Sequence, residues 1–143
     1  TCALPILKEA IDKEFDDCDA LIMSAAPTDY KVREVSDKKI KKNGDNLNLE
    51  LIENVDILKY FGNKKDKQVL IGFAAETDDL IKNAKIKLES KKADYIIAND
   101  LKKKGAGFDV DTNIASILSK DKVEKLDIMT KKELANKILD LLV

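Results

Sequence analysis

Histidine is absent from this 143-residue sequence. Without imidazole, the chain has no histidine general base, no His-ligated metal and no Ser-His-Asp triad of its own. Arginine is almost as scarce: Arg33 stands alone, and every other basic residue is lysine. Readers of nucleic-acid sequence lean on the arginine fork for bidentate contacts, which lysine does not supply. Lys+Arg of 26 against Asp+Glu of 27 leaves a net charge of -1, so no global field draws the chain to nucleic acid or to an anionic membrane. The only cysteines, Cys2 and Cys18, form no CxxC pair; this argues against a zinc site or a disulfide scaffold and fits a reducing cytoplasm. No apolar run approaches the roughly 20 residues of a membrane span, and no signal peptide is visible at the start. The glycines are scattered at 44, 62, 72, 105 and 107, so the chain has no GxGxxG phosphate-binding turn.

What is present suffices for one domain with a real core: 44% hydrophobic residues, with 37% charged residues to solvate the surface. Over 5–16, Leu7, Ile11 and Phe15 recur every fourth residue, with Leu4 three before Leu7, which predicts one apolar helix face. The runs 20–25, 68–73 and 94–98 are short and almost unbroken in apolar character, as buried parallel strands are. Between them, 54–61 and 78–92 read as helices. Asn43-Gly44-Asp45-Asn46 is a turn signal, and Leu47, Leu49 and Leu51 then alternate with polar residues, predicting a hairpin with one wet face. Lys104-Gly105-Ala106-Gly107 reads as a loop, and 113–119 and 122–128 as strands paired across Lys120-Asp121. Thr130 followed by Glu133 is a capping box opening a last helix, whose apolar face is Leu134, Ile138, Leu141 and Leu142. Strands alternating with amphipathic helices predict an α/β fold: a Rossmann-like, mostly parallel sheet flanked by helices, with an antiparallel hairpin arm and a late antiparallel strand pair.

In open α/β sheets, ligands bind beyond the carboxyl ends of the strands, and the candidate chemistry falls there. Ser24-Ala25-Ala26-Pro27-Thr28-Asp29-Tyr30 follows the first strand. Its small residues admit a ligand to the backbone. Asp29 could hold an amino group, a ribose hydroxyl or a magnesium ion, or simply bond nearby amides of its own loop. Lys38-Lys39-Ile40-Lys41-Lys42 could fold over a triphosphate, or be a solvated strand protected from aggregation by its charges. Gly72-Phe73-Ala74-Ala75-Glu76-Thr77 ends the second buried strand, and Phe73 could stack on a base or pack in the core. Lys87 and Lys91, four apart on a helix, share a face where like charges repel unless an anion lies between them. Asn99-Asp100 ends the third strand; Gly107-Phe108 and Asn113 are weaker signals.

Taken in order, AAPTDYK (25–31), KIKK (39–42), NVDIL (54–58), GFAAET (72–77), ADYIIAND (93–100) and the Gly107-Phe108…Asn113 spacing resemble the C-terminal domain of the bacterial phosphopantothenate–cysteine ligases. The resemblance runs from about Asp19 to the end. It implies a cytoplasmic enzyme of coenzyme A biosynthesis that joins 4'-phosphopantothenate to L-cysteine, using CTP with Mg2+ and passing through an acyl-cytidylate. By resemblance, the backbone around Met23, Ser24 and Ala25 reads cytosine and Asp29 holds the nucleotide. Val55, Asp56, Ile57, Leu58 and Phe73 line its site, and Lys87 and Lys91 bind phosphate. Lys39 is the loop lysine that reaches the phosphates, and Ala26 lies where the acyl-cytidylate forms. It also implies a homodimer joined through strand arms, here 31–52, and in many organisms fusion behind a flavin-dependent decarboxylase.

Two departures accompany the resemblance. The family's usual Asn-Pro-Asp is Asn54-Val55-Asp56 here, a less rigid loop. The family's glycine-rich opening segment and its substrate-handling asparagine have no counterpart, so residues 1–143 are expected to form a single CTP-binding domain without its first strand. A catalytically silent nucleotide-binding or dimerisation module is the main alternative. A dinucleotide-dependent reductase is disfavoured by the missing GxGxxG.

Overall fold

The computed structural model describes residues 3–42, 44, 46–76, 78–102 and 110–143. The expected loop at 104–107, Phe108, Thr77, and Asn43 and Asp45 of the turn lie outside the described residues. The chain opens with α1 (Ala3–Glu14) and a 3-10 turn (Phe15–Asp17), then β1 (Ala20–Met23), β2 (Tyr30–Val32), β3 (Leu51–Glu53), α2 (Ile57–Lys64) and β4 (Val69–Glu76). It continues through α3 (Leu80–Ser90), β5 (Tyr95–Asp100), β6 (Thr112–Asn113), β7 (Ala115–Leu118), β8 (Val123–Lys125), β9 (Met129–Thr130) and α4 (Lys131–Leu139).

One five-stranded sheet, ordered β1-β4-β5-β7-β8, organises the molecule. The neighbours β1, β4 and β5 are parallel, while β7 and β8 are antiparallel additions. The parallel pairs need crossovers, and α2 and α3 lie on them. The strand period of two sorts side chains to the two faces of the sheet. Leu70 packs with Phe15, Met23, Ile57 and Phe61 under α1 and α2, and Ala74, Ile96, Ala98 and Leu118 pack with Ala84 and Leu88 of α3. Ile71, Ile97, Ala115 and Ile117 face the other way, against Leu134 and Ile138 of α4. Both faces are therefore covered by helices, the arrangement expected from the sequence. The Phe15 and Phe61 rings lie 4.6 Å apart between centroids and are almost wholly buried, each contributing roughly 1.5–3 kcal/mol from removal of apolar surface from water.

The hairpin arm is shorter than the alternation of leucines predicts. Strands β2 and β3 pair only from Tyr30↔Glu53 to Val32↔Leu51. Leu47, Leu49 and Leu51 are 64%, 59% and 56% exposed, so among the described residues nothing covers the expected dry face. Gly44 adopts φ +91, the left-handed conformation that the turn signal called for. The late pair forms as expected across Lys120-Asp121, the Ser119 amide donating to the Lys122 carbonyl at 2.9 Å. A further short pair, β6 with β9, was not legible in the sequence.

The capping box is complete. The Glu133 amide donates to Thr130 Oγ1 (3.2 Å), and the Thr130 amide and hydroxyl donate to Glu133 Oε2 (2.8 and 2.7 Å). Thr130→Ala should cost about 1 kcal/mol in urea denaturation at neutral pH. The Thr130 amide, then its hydroxyl, holds the Glu133 carboxyl below its ordinary value. That stabilisation is present above the unfolded carboxylate range and lost as pH falls through the lowered folded value. The gap between wild type and Thr130→Ala should therefore narrow on acidification below about pH 4.

Candidate functional site

The carboxyl end of β1 lies against the middle of β4, Met23 in register with Gly72, and β4 runs on past it to Glu76. Beyond Met23 the chain crosses to β2 through the small-residue loop 24–29, and this loop is tied to the segment before α2. The Asn54 amide donates to the Asp29 carbonyl at 2.8 Å, and Asn54 Nδ2 donates to the Thr28 carbonyl at 3.3 Å. Asn54 Oδ1 in turn accepts from the Val55 amide at 3.0 Å. Asp56 then serves two elements. Its Oδ1 caps α2 by accepting from the Lys59 amide at 2.9 Å, and its Oδ2 accepts from Lys91 Nζ at the end of α3. One turn earlier on α3, Lys87 Nζ pairs with Glu76 at 2.7 Å.

These ties enclose a cavity of about 530 Å³. Met23, Ala25, Ala26 and Asp29 form one side, Val55, Asp56, Ile57 and Leu58 a second, and Phe73 with Lys87 and Lys91 a third. All of these were singled out from the sequence. Two others were not brought to it: Ser24 is exposed, its amide donating to the Ile22 carbonyl at 3.2 Å, and Lys39 is exposed in the arm. Neither lines the cavity. Phe73 packs against the core cluster under α4, the second of its expected surroundings, and also lines the cavity.

Sequence reasoning gave no role to Ile86 and Ser90, or individually to Pro27, Thr28, Asn54 and Ala75 inside the quoted segments, and these also line the cavity. Helical spacing would have found Ser90, three residues after Lys87 and on the same face. Asn54 stood inside a quoted segment, but its work of joining two loops depends on a contact 26 residues away.

Chemically, the cavity combines a wall of small side chains, an aromatic ring and two ammonium groups, each already matched by one carboxylate. A lysine has three N–H donors, so one carboxylate partner leaves capacity for an incoming anion. Among the described residues no group of three or more Cys, Asp or Glu could hold a metal by itself. Asp29 lines the cavity and is exposed. A second cavity of about 390 Å³ lies at the other end of α3, with Asp79, Lys82, Asp100 and Lys125 in mixed charge around Ser116. Of the residues quoted for chemistry above, Asp100 reaches it. No helix among the described residues is long and apolar enough to cross a membrane.

Comparison with known proteins agrees with this fold. The family model described as "DNA/pantothenate metabolism flavoprotein C-terminal domain" matches residues 5–143. The Coenzyme A biosynthesis bifunctional protein CoaBC of Bacillus subtilis (strain 168) is 45% identical over 134 residues, 93% of this chain and 33% of that protein. The protein of the same name from Borreliella burgdorferi is 39% identical over 143 residues, 98% of this chain and 35% of its own length. The crystal structure of the C-terminal domain of a CoaBC superposes with a TM-score of 0.77 at 36% identity, covering 97% of this chain and 60% of that one. The chain thus spans about a third of the length of these curated relatives. By the match along nearly its whole length and the shared fold, this chain belongs to the DNA/pantothenate metabolism flavoprotein C-terminal domain family.

Proposed function

We propose that this chain is the CTP-binding part of a phosphopantothenate–cysteine ligase. The observation that carries the reading is the convergence on one cavity of the small-residue loop after β1, the Asp56 turn, Phe73 and the Lys87/Lys91 pair. The cavity lies within the size range of small-molecule and cofactor sites. In this reading the backbone around Met23 and Ala25 reads the cytosine edge, Phe73 bounds the nucleotide, and Lys87 and Lys91 take the phosphates. The carboxylate of 4'-phosphopantothenate attacks the α-phosphorus of CTP near Ala26; the α–β bridging bond breaks and pyrophosphate leaves with its electron pair. The amine of L-cysteine then attacks the acyl carbon of the cytidylate, and CMP leaves with the electrons of the acyl–oxygen bond. Bound magnesium would neutralise charge on the triphosphate, with Asp29 as the protein ligand. The protein's share is to align the two reactants, meet phosphate charge with Lys87, Lys91 and Lys39, and keep water from the mixed anhydride. None of this requires histidine.

The same reading makes the 31–52 arm, with its exposed leucines, a dimerisation element in a cytoplasmic homodimer. It also places a flavin-dependent decarboxylase on the same polypeptide or in association.

Nucleotide choice tests the proposal. At about a hundred times its dissociation constant, CTP with magnesium should stabilise the fold by about 2.7 kcal/mol, raising the melting temperature on the order of 5–10 °C. ATP and GTP should do clearly less. Equal shifts for all three nucleotides, or none, would remove the assignment.

A further inference from the structure

The pairing of Glu76 has no part in the reading so far, although Glu76 lies in the GFAAET segment that carries the resemblance. We propose that Glu76 is a positioning residue for nucleotide binding: its ion pair holds the Lys87 ammonium on the cavity wall where a phosphate arrives. The inference rests on the CTP-binding reading above and deepens it.

Glu76 is the last residue of β4, in register with Asp100 of β5, and its own carbonyl accepts from the Leu101 amide at 3.4 Å. Its backbone is thus set by a central strand of the sheet. By the alternation of side chains it shares a face with Ala74, which packs against Ala84 and Leu88 of α3. Its carboxylate therefore rises toward α3, where it meets two residues one helical turn apart: Lys87 Nζ at 2.7 Å from Oε1, and Asn83 Nδ2 at 3.5 Å from Oε2. Asn83 is itself braced, donating to the Asp78 carbonyl at 3.1 Å. The Glu76 side chain is only 21% exposed, whereas that of Lys87 is 40% exposed and lines the cavity. A carboxylate so far withdrawn from water needs a fixed counter-charge. The pair consequently has one inner, rigid member and one outer, cavity-facing member.

Three physical points make this positioning rather than direct contact. A carboxylate beside a polyphosphate is repelled by it, so Glu76 gains nothing by touching the nucleotide. Lysine is a point charge on a flexible four-carbon stem, and pinning its Nζ removes beforehand the rotamer freedom that phosphate binding would otherwise remove. Finally, Lys87 and Lys91 repel across one helical turn. Glu76 and Asp56 offset that repulsion one lysine each, and the N–H donors left on each ammonium still face the cavity.

A double-mutant cycle on CTP affinity, measured by calorimetric titration with magnesium, tests the assignment. Glu76→Ala should weaken CTP binding about five- to tenfold, the scale of losing one charge-assisted hydrogen bond. Glu76→Gln, which keeps an acceptor oxygen for Lys87, should recover part of that loss. In a Lys87→Ala background, Glu76→Ala should have no further effect. Equal weakening in both backgrounds, or unchanged or tighter binding by Glu76→Ala, overturns the positioning role while leaving the CTP site in place. Should Glu76→Ala fail to fold, Glu76→Gln with and without Lys87→Ala makes the same comparison. A wild-type protein that does not prefer CTP defeats the underlying reading, and this inference with it.

Discussion

An alanine at position 62 is expected to destabilise the domain by at least the ~3 kcal/mol that marks the upper end of ordinary overpacking, read as a lower urea midpoint at unchanged m value. The direction runs against propensity. Gly62 lies inside α2, where alanine normally gains about 1 kcal/mol over glycine. Here, however, a Cβ would stand 1.8 Å from the Lys91 carbonyl oxygen and 2.9 Å from its carbon. Both are backbone atoms at the end of α3, so no rotamer relieves the clash; α2 and α3 must separate. The effect reaches the site as well, because Lys91 is the residue whose ammonium meets Asp56 at the head of α2. CTP-induced stabilisation should shrink in Gly62→Ala together with the midpoint. The neighbouring Asn63→Ala, on the exposed side of the same helix, should stay within about 0.5 kcal/mol. A Gly62→Ala protein as stable as wild type would mean that α2 and α3 do not approach as described.

Lys39→Gln should lower ligase turnover by about 10²- to 10³-fold, the loss typical of removing one group aimed at charge developing in the transition state. The measurement belongs in a protein shown to form phosphopantothenoylcysteine from CTP, 4'-phosphopantothenate and L-cysteine. Lys39 is exposed and away from the cavity lining, so its expected contribution lies in the closed, reacting complex rather than in the resting site. The signature is therefore a fall in kcat with CTP affinity changed less than about threefold, the pattern of an interaction made only in the transition state. Lys87→Ala should behave oppositely, weakening CTP itself. Full turnover by Lys39→Gln would take the arm out of the mechanism.

The fold was legible where local patterns and packing agree. Leu7, Ile11 and Phe15 mark α1 because a helix needs one dry stripe, and 68–73 and 94–98 mark central strands because a parallel strand is apolar on both faces. Thr130 and Glu133 place the start of α4 because a capping box satisfies amides within four residues of each other. The ends of the two central strands were legible as well: Gly72–Thr77 and Asn99-Asp100 were expected to close them, and β4 runs to Glu76 and β5 to Asp100, paired with each other to the end. The leucine alternation at 47–51 has the pattern of a half-buried strand, but a pattern does not say what covers the apolar side, and Leu47, Leu49 and Leu51 stay exposed.

The candidate site divides along the same line. Short spacing was enough to put Lys87 and Lys91 on one helix face, and to put the small residues 24–26 at a strand's end, because both follow from the periods of helix and strand. Which carboxylate meets which lysine was settled by packing: Asp56 and Lys91 are 35 residues apart, and they meet because Gly62 lets α2 lie against the end of α3. The same holds for Asn54, whose grip on the Thr28 carbonyl shapes the cavity rim. Residue order specifies local geometry through a few torsion angles. Contacts between distant segments come from burial shared by the whole core, which no window of sequence contains.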